Sequence, residues 1–196
     1  MTSHEGDKEF FPLSAGELLT SRIGKRMTSF VRYNFKPKEQ DAASTPGMPE
    51  HTVFSMGGGP VAIGFEDGVV ISLATAFSSN SVVLGPDTGT DSSPPLKDDP
   101  SLFPVDARDP RYSRKKFGDL IGCRLEAISV FKPRAVEWPF NGLPNEIGLS
   151  FTFEGGGRFV FGCGLDKMIS APAVVGFDEI DPSVLDNYIE IPVGGI

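Results

Sequence analysis

The chain has 196 residues, 39% of them hydrophobic, with 16 Phe, 23 Gly and 17 Pro. This composition supplies a real apolar core but breaks the chain into many short segments, which excludes a long-helix architecture and favours sheet in one domain spanning 1–196. Eighteen basic against 26 acidic residues leave a net charge of −8, which argues against nucleic-acid backbone binding and for solubility or a basic partner.

Residues 1–9 are polar and read as a frayed end. No apolar run approaches the ~20 residues of a membrane span, so a cytoplasmic protein without membrane contact is expected. Ser14 followed by Glu17 matches a capping box and predicts a helix of one or two turns. From Arg26 the side chains alternate. Met27, Val31, Tyr33 and Phe35 are assigned to the buried face of a strand, with Arg26, Thr28, Arg32, Asn34 and Lys36 opposite and Phe30 out of phase. Residues 36–50 carry three prolines and read as a loop, and His51–Met56 as a short strand. Val61, Ile63 and Phe65, then Asp67-Gly68, then Val69, Ile71 and Leu73 form a hairpin with one apolar face.

Residues 86–116 show no sustained period and read as a long linker. Beyond it the same pattern returns. Ile23-Gly24-Lys25-Arg26 is matched by Ile121-Gly122-Cys123-Arg124, and Phe35-Lys36-Pro37 by Phe131-Lys132-Pro133. The hairpin is matched by Leu149, Phe151 and Phe153, a Gly155-Gly156 turn, then Phe159 and Phe161. Apolar positions match apolar positions throughout, and because a one-residue slip would reverse every side chain, this parity argues for an internal duplication. The units are assigned to 18–85 and 117–165, with 166–196 as an acidic tail packing on the core. Within that tail Ala173–Phe177 is expected as an edge strand, and Asp181 as the cap of a short helix that Pro182 opens. The fold class is therefore mainly β, two related strand-plus-hairpin units forming a twisted sheet pair or a flattened barrel, with short helices before each unit.

Chemistry-bearing residues are sparse. The two histidines, His4 and His51, support neither a catalytic dyad nor a histidine metal site. Gly57-Gly58-Gly59 and Gly155-Gly156-Gly157 lack the Lys-Ser/Thr and the following helix of a phosphate loop and read as turns. Cys123 and Cys163 are too few for a disulfide framework and fit a reduced compartment, and Cys163 continues the buried period of Phe159 and Phe161. Asp98-Asp99 and Asp178-Glu179 lack calcium-loop spacing. No catalytic residue, metal or cofactor is expected. Arg111, Arg114, Lys115 and Lys116 form a small basic cluster that reads equally as a solvated linker end. The expected partner-binding residues are Glu137, Trp138 and Phe140, on a proline-bearing loop that reads equally as a cap on the core and that differs from the longer, more polar insert of the first unit, together with Asp178, Glu179 and Asp181 of the tail, which also read as a solvated acidic face.

The order Ile-Gly-x-Arg, strand, then Phe-Glu-(Asp/Gly)-Gly hairpin, on a small acidic chain without catalytic residues, resembles the immunity proteins of bacterial polymorphic toxin systems. The resemblance covers the two units and implies binding and blockade of a cognate toxin domain, with acidic residues steering the encounter with a basic surface. A second expectation is a small-ligand-binding β protein, with an apolar cavity between the units lined by Phe151, Phe153, Phe159 and Phe161.

Overall fold

Alternating apolar side chains form the expected hairpins, and the pairing of the strands around them extends the duplication. The computed structural model describes residues 10–44, 47–89, 94–136, 139–165 and 172–194. The first unit comprises α1 (Gly16–Thr20), β1 (Met27–Asn34), α2 (Lys38–Ser44), α3 (Val53–Met56), β2 (Val61–Phe65), β3 (Val70–Ala76), β4 (Ser81–Pro86) and β5 (Phe103–Asp106). The second comprises α4 (Lys115–Gly118), β6 (Leu125–Pro133), β7 (Gly148–Phe153), β8 (Arg158–Gly162), β9 (Ala173–Gly176), α5 (Pro182–Leu185) and β10 (Tyr188–Pro192). Two five-stranded antiparallel sheets result, ordered β4-β3-β2-β1-β5 and β9-β8-β7-β6-β10. They form a sheet pair and do not close into a barrel.

Each unit is thus larger than its strand-plus-hairpin signature. The segment read as a linker supplies β5, which pairs with β1, and the acidic tail supplies both β9 and β10. These strands have four or five residues, too few to display a period. The edge position of β9 agrees with the sequence reading, as do the short helices α1 and α4 ahead of the long strands β1 and β6. Asp181 caps α5 by accepting the Ser183 N–H at 2.8 Å, with Pro182 in the first turn.

The face assigned to β1 is corrected by a bulge. Met27 pairs with Phe65 and Ser29 with Gly64, so one residue is extra between them and the parity reverses. Beyond it Phe30, Arg32 and Asn34 face inward and are fully buried, whereas Phe35 is 64% exposed. β6 has the same bulge between Leu125 and Ala127. The shared register sets Phe131 opposite Gly148 as Tyr33 is set near Pro60, so Phe131 is the counterpart of Tyr33. The repeated Phe-Lys-Pro is therefore out of register by two residues, which explains why Phe131 is buried and Phe35 is not.

Three local expectations also change. His51–Met56 is not a strand. A 3-10 turn, Glu50–Thr52, runs into α3, and α3 inserts Phe54 between Phe30 and Phe117, at ring distances of 4.9 and 5.5 Å. Residues 36–50 include α2, whose first turn closes on the Pro37 carbonyl through the N–H groups of Gln40 and Asp41. The Ser14 capping box does not form, because Ser14 Oγ donates to the Phe11 carbonyl and α1 begins after Ala15.

A pseudo-twofold relates the units where the two Ile-Gly-x-Arg motifs meet. Gly24 N–H donates to Leu125 O and Gly122 N–H to Met27 O, both at 2.7 Å. Met27 N–H donates to Cys123 O at 3.0 Å and Leu125 N–H to Lys25 O at 2.9 Å. Arg26 Nη1 reaches Gly122 O at 2.8 Å, and Arg124 Nη1 donates to Gly24 O. The two glycines have φ of +86° and +99°, a backbone region that other residues enter only at a cost.

Between the sheets, Phe30 of the first unit stacks on Phe159 of the second at 4.6 Å, and Phe159 stacks on Phe151 at 5.1 Å. Each unit's insert then covers the other unit's edge strand: α3 packs on β9, and Glu146 O accepts the Val82 N–H of β4 at 2.8 Å. This protects edges that would otherwise template pairing with another chain. A second apolar cluster on the outer face of the second sheet joins Phe131, Val160 and Val175 to Val184 of α5.

The bulge makes a direct prediction for Phe30 and Phe35, whose burial it exchanges. Phe30→Ala removes a fully buried ring and is expected to lower unfolding free energy by about 3–5 kcal/mol, while Phe35→Ala changes it by less than about 0.5 kcal/mol. Urea denaturation of both variants checks this, and comparable losses would contradict the register.

Candidate interaction face

The two units meet again at the far ends of β3 and β8. Asn80 follows a 3-10 turn at Phe77–Ser79, and Asn145 lies in the insert that leads into β7. They are the non-glycine residues with positive φ among the described residues, at 47° and 54°, a conformation Asn tolerates because its short amide can bond locally. Here the two amides bond each other. Asn80 Nδ2 donates to Asn145 Oδ1 at 2.7 Å, and Asn145 Nδ2 donates to the carbonyls of Phe140 and Leu143 at 3.0 and 2.8 Å.

This amide bridge holds two exposed aromatic rings. Asn80 N–H donates to Phe77 O, so the bridge ties the backbone of Phe77, 69% exposed, to that of Phe140, 39% exposed. A groove of about 280 Å³ beside Phe77 is lined by Thr75, Pro133, Ile147, Cys163 and Tyr188. Both units contribute to it. Burial pushes the Cys163 thiol up in pKa despite a hydrogen bond to the Thr75 side chain, and also raises the Tyr188 phenol. Desolvation thus disfavours the thiolate at this position.

The same insert fixes the N-terminal segment. Glu146 is buried, its Oε2 accepts the Leu13 N–H at 2.8 Å, and Phe10 bridges to Leu84 on the edge of β4. Desolvation raises the Glu146 pKa against the opposing pull of that N–H.

Of the residues expected to bind a partner, Phe140 belongs to this face, and Glu137 and Trp138 lie outside the described residues. The acidic residues lie elsewhere. Asp178 pairs with Lys116 at 3.0 Å, and that hydrogen bond holds its carboxyl below the usual range. Glu179 pairs with Lys116 at 2.9 Å and with Arg114, and Asp181 caps α5. The basic cluster is likewise paired, with Arg111 on Glu50 at 2.8 Å and Lys115 on Asp119 at 2.9 Å. His51 is exposed. Among the described residues no group of His, Cys, Asp and Glu has the arrangement of a metal site. Gly57-Gly58-Gly59 follows α3 instead of opening a helix, and a Cβ on Gly59 would lie 1.7 Å from Tyr33 O. Close backbone approach explains that glycine. Phe151, Phe153, Phe159 and Phe161, expected to line a cavity between the units, are instead fully buried in the core, the first three stacking in series through Phe159.

Two features were not anticipated from the sequence. Ser78-Ser79-Asn80-Ser81 has ordinary turn composition, and the bond that Asn80 makes to Asn145, 65 residues away, leaves no local signal. Arg32 was assigned to solvent, yet it is fully buried, donating to the carbonyls of Gly57, Gly59 and Pro172 with its guanidinium 5.9 Å from the Phe161 ring. Burial pushes its pKa down to about 9. The second unit has buried Val130 at the corresponding position.

Among the described residues no helix is long and apolar enough to cross a membrane. Comparison of the chain with known protein families, with curated proteins and with solved structures finds no match.

Glu146 gives a test of how the face is braced. Its raised pKa means that the folded state holds the proton more tightly, so this group's contribution to stability falls as pH rises from the unfolded value through the folded one. Glu146→Gln keeps an acceptor for Leu13 without the charge. It is expected to be at least as stable as the parent at pH 7, with the difference shifting toward the parent as pH falls to about 4. Urea unfolding across this range checks the sign, and a Gln variant clearly weaker at pH 7 would contradict it.

Proposed function

We propose that the chain is a non-enzymatic protein-binding module, and specifically an immunity protein that engages a cognate bacterial toxin domain in the cytoplasm. The observation carrying this reading is the pair of exposed rings, Phe77 and Phe140, one from each unit, braced by the Asn80–Asn145 bridge. Aromatic anchors held in place before binding lose little conformational entropy on association, which is where interface energy concentrates. Trp138 lies two residues before Phe140 in sequence and adds a third anchor in this reading. The net charge of −8 supports a basic partner through steering of the encounter. Asp178 and Glu179 then act through the overall field, because each already has a cationic partner.

A second reading, a small-ligand-binding β protein, is favoured by the groove beside Phe77, to which both units contribute. Its volume of about 280 Å³ is at the lower limit of ordinary ligand sites. Binding of an apolar ligand there in the absence of any protein partner would distinguish it.

The test is co-expression with a toxin domain encoded directly upstream of this chain. The parent is expected to restore growth and co-purify with the toxin, whereas Phe77→Asp/Phe140→Asp keeps the parent's Tm and weakens the complex by at least about tenfold. Undiminished protection by the double variant, or the lack of a toxin gene at that position, would contradict the proposal.

A further inference from the structure

We propose that the second unit binds a small organic carboxylate in a cleft that the first unit fills with its own side chains. The duplication supplies the argument. In the first unit Asp67, at the β2–β3 turn, sets its carboxylate 2.7 Å from Arg22 Nη1 and 3.9 Å from Lys25 Nζ, and accepts the Val69 N–H at 3.3 Å. The strand register makes Gly155 the counterpart of Asp67 and Gly157 that of Val69, and the Ile-Gly-x-Arg motifs make Leu120 the counterpart of Arg22. Both members of the ion pair are replaced. The Gly157 N–H, which corresponds to the donor that Asp67 uses, has no backbone or side-chain acceptor among the described residues.

An open cleft of about 470 Å³ stands at this position, lined by Phe117, Leu120 and Phe177, by the glycine turn, by two cations, Lys116 and Arg158, and by Asp178. The guanidinium of Arg158 is fixed. It lies 3.7 Å from the Phe177 ring centroid, donates through Nε to Ser150 Oγ at 2.8 Å and through Nη2 to Glu190, and its Nη1 has no acceptor among the described residues. Lys116 extends over Gly176, where a Cβ would fall 1.9 Å from its Nζ, and is shared between Asp178 and Glu179. The Asp178 side chain is 78% exposed, so it is a solvated counter-ion that a ligand carboxylate can displace while Glu179 remains in place.

The lining selects the ligand class. Aromatic and leucine walls take an apolar body, and the Gly157 N–H, Arg158 Nη1 and Lys116, which line the same cleft, supply donors and positive charge for an anionic group. A single negative charge suffices, because once Asp178 is displaced Glu179 and Glu190 stand against Arg114, Lys116 and Arg158. A cationic ligand with the same apolar body would meet Lys116 and Arg158. The site is separate from the Phe77–Phe140 face and does not depend on the protein-binding reading.

The experiment is an amide NMR titration of the full chain with phenylacetate, alongside 2-phenylethylamine and benzyl alcohol. Phenylacetate is expected to shift the Gly157 amide saturably with a Kd of about 1 mM or tighter, with both comparison compounds at least about tenfold weaker. Lys116→Met is expected to weaken binding about tenfold through loss of the cation. No saturable shift up to about 10 mM, equal response to the amine, shifts confined to the groove beside Phe77, or unchanged binding in Lys116→Met would each overturn the proposal.

Discussion

The structure depends on a reciprocal exchange of main-chain hydrogen bonds at the pseudo-twofold, where Gly24 and Gly122 each donate into the first residues of the other unit's long strand. Neither unit can make these bonds alone. They require positive φ at both glycines, and they set β1 and β6 so that the Phe30 ring stacks on Phe159 across the interface. Directional bonds define the dyad, and burial of the large aromatic rings supplies most of the stabilisation. The reciprocal inserts, α3 on β9 and Glu146 on β4, close the far edges by the same logic.

On this symmetric frame the differences between the units identify what each does alone. Buried Arg32 stands where the second unit has Val130, Arg22 and Asp67 stand where it has Leu120 and Gly155, and the Phe140 insert stands where the first unit has α2 and α3. Each exchange alters charge or packing at one locus while the ladder beneath it is retained. The exposed face and the carboxylate cleft both lie at such loci. Much of the remaining charged surface is internally paired, including Asp178, Glu179 and Glu190.

How legible this was in the sequence depended on the range of the interactions. The hairpin parity of Ile63 with Phe151 and Ile71 with Phe159 could be read directly, because a period-two pattern is local and cannot slip without exposing every ring. The bulge after Met27 could not, since one inserted residue reverses parity without any change of composition, and it turned Arg32 inward and Phe35 outward. β5, β9 and β10 are too short to carry a period, and α3 was hidden behind β-compatible residues that contacts with Phe30 and Phe117 hold in a helical turn. Phe140 could be placed from the sequence on an insert between the long strand and the hairpin of one unit, but its link to Phe77 runs through two asparagines 65 residues apart and has no local signal.

The central claim is that the two units are one cooperative body joined at the dyad. Native-state hydrogen exchange at Ile63 and Phe151, paired core positions of the two units, tests this most directly. The account predicts that both amides exchange only through global unfolding, with the same free energy and the same denaturant dependence. An amide in either unit exchanging through a separate, lower-energy opening while the other stays protected would contradict it.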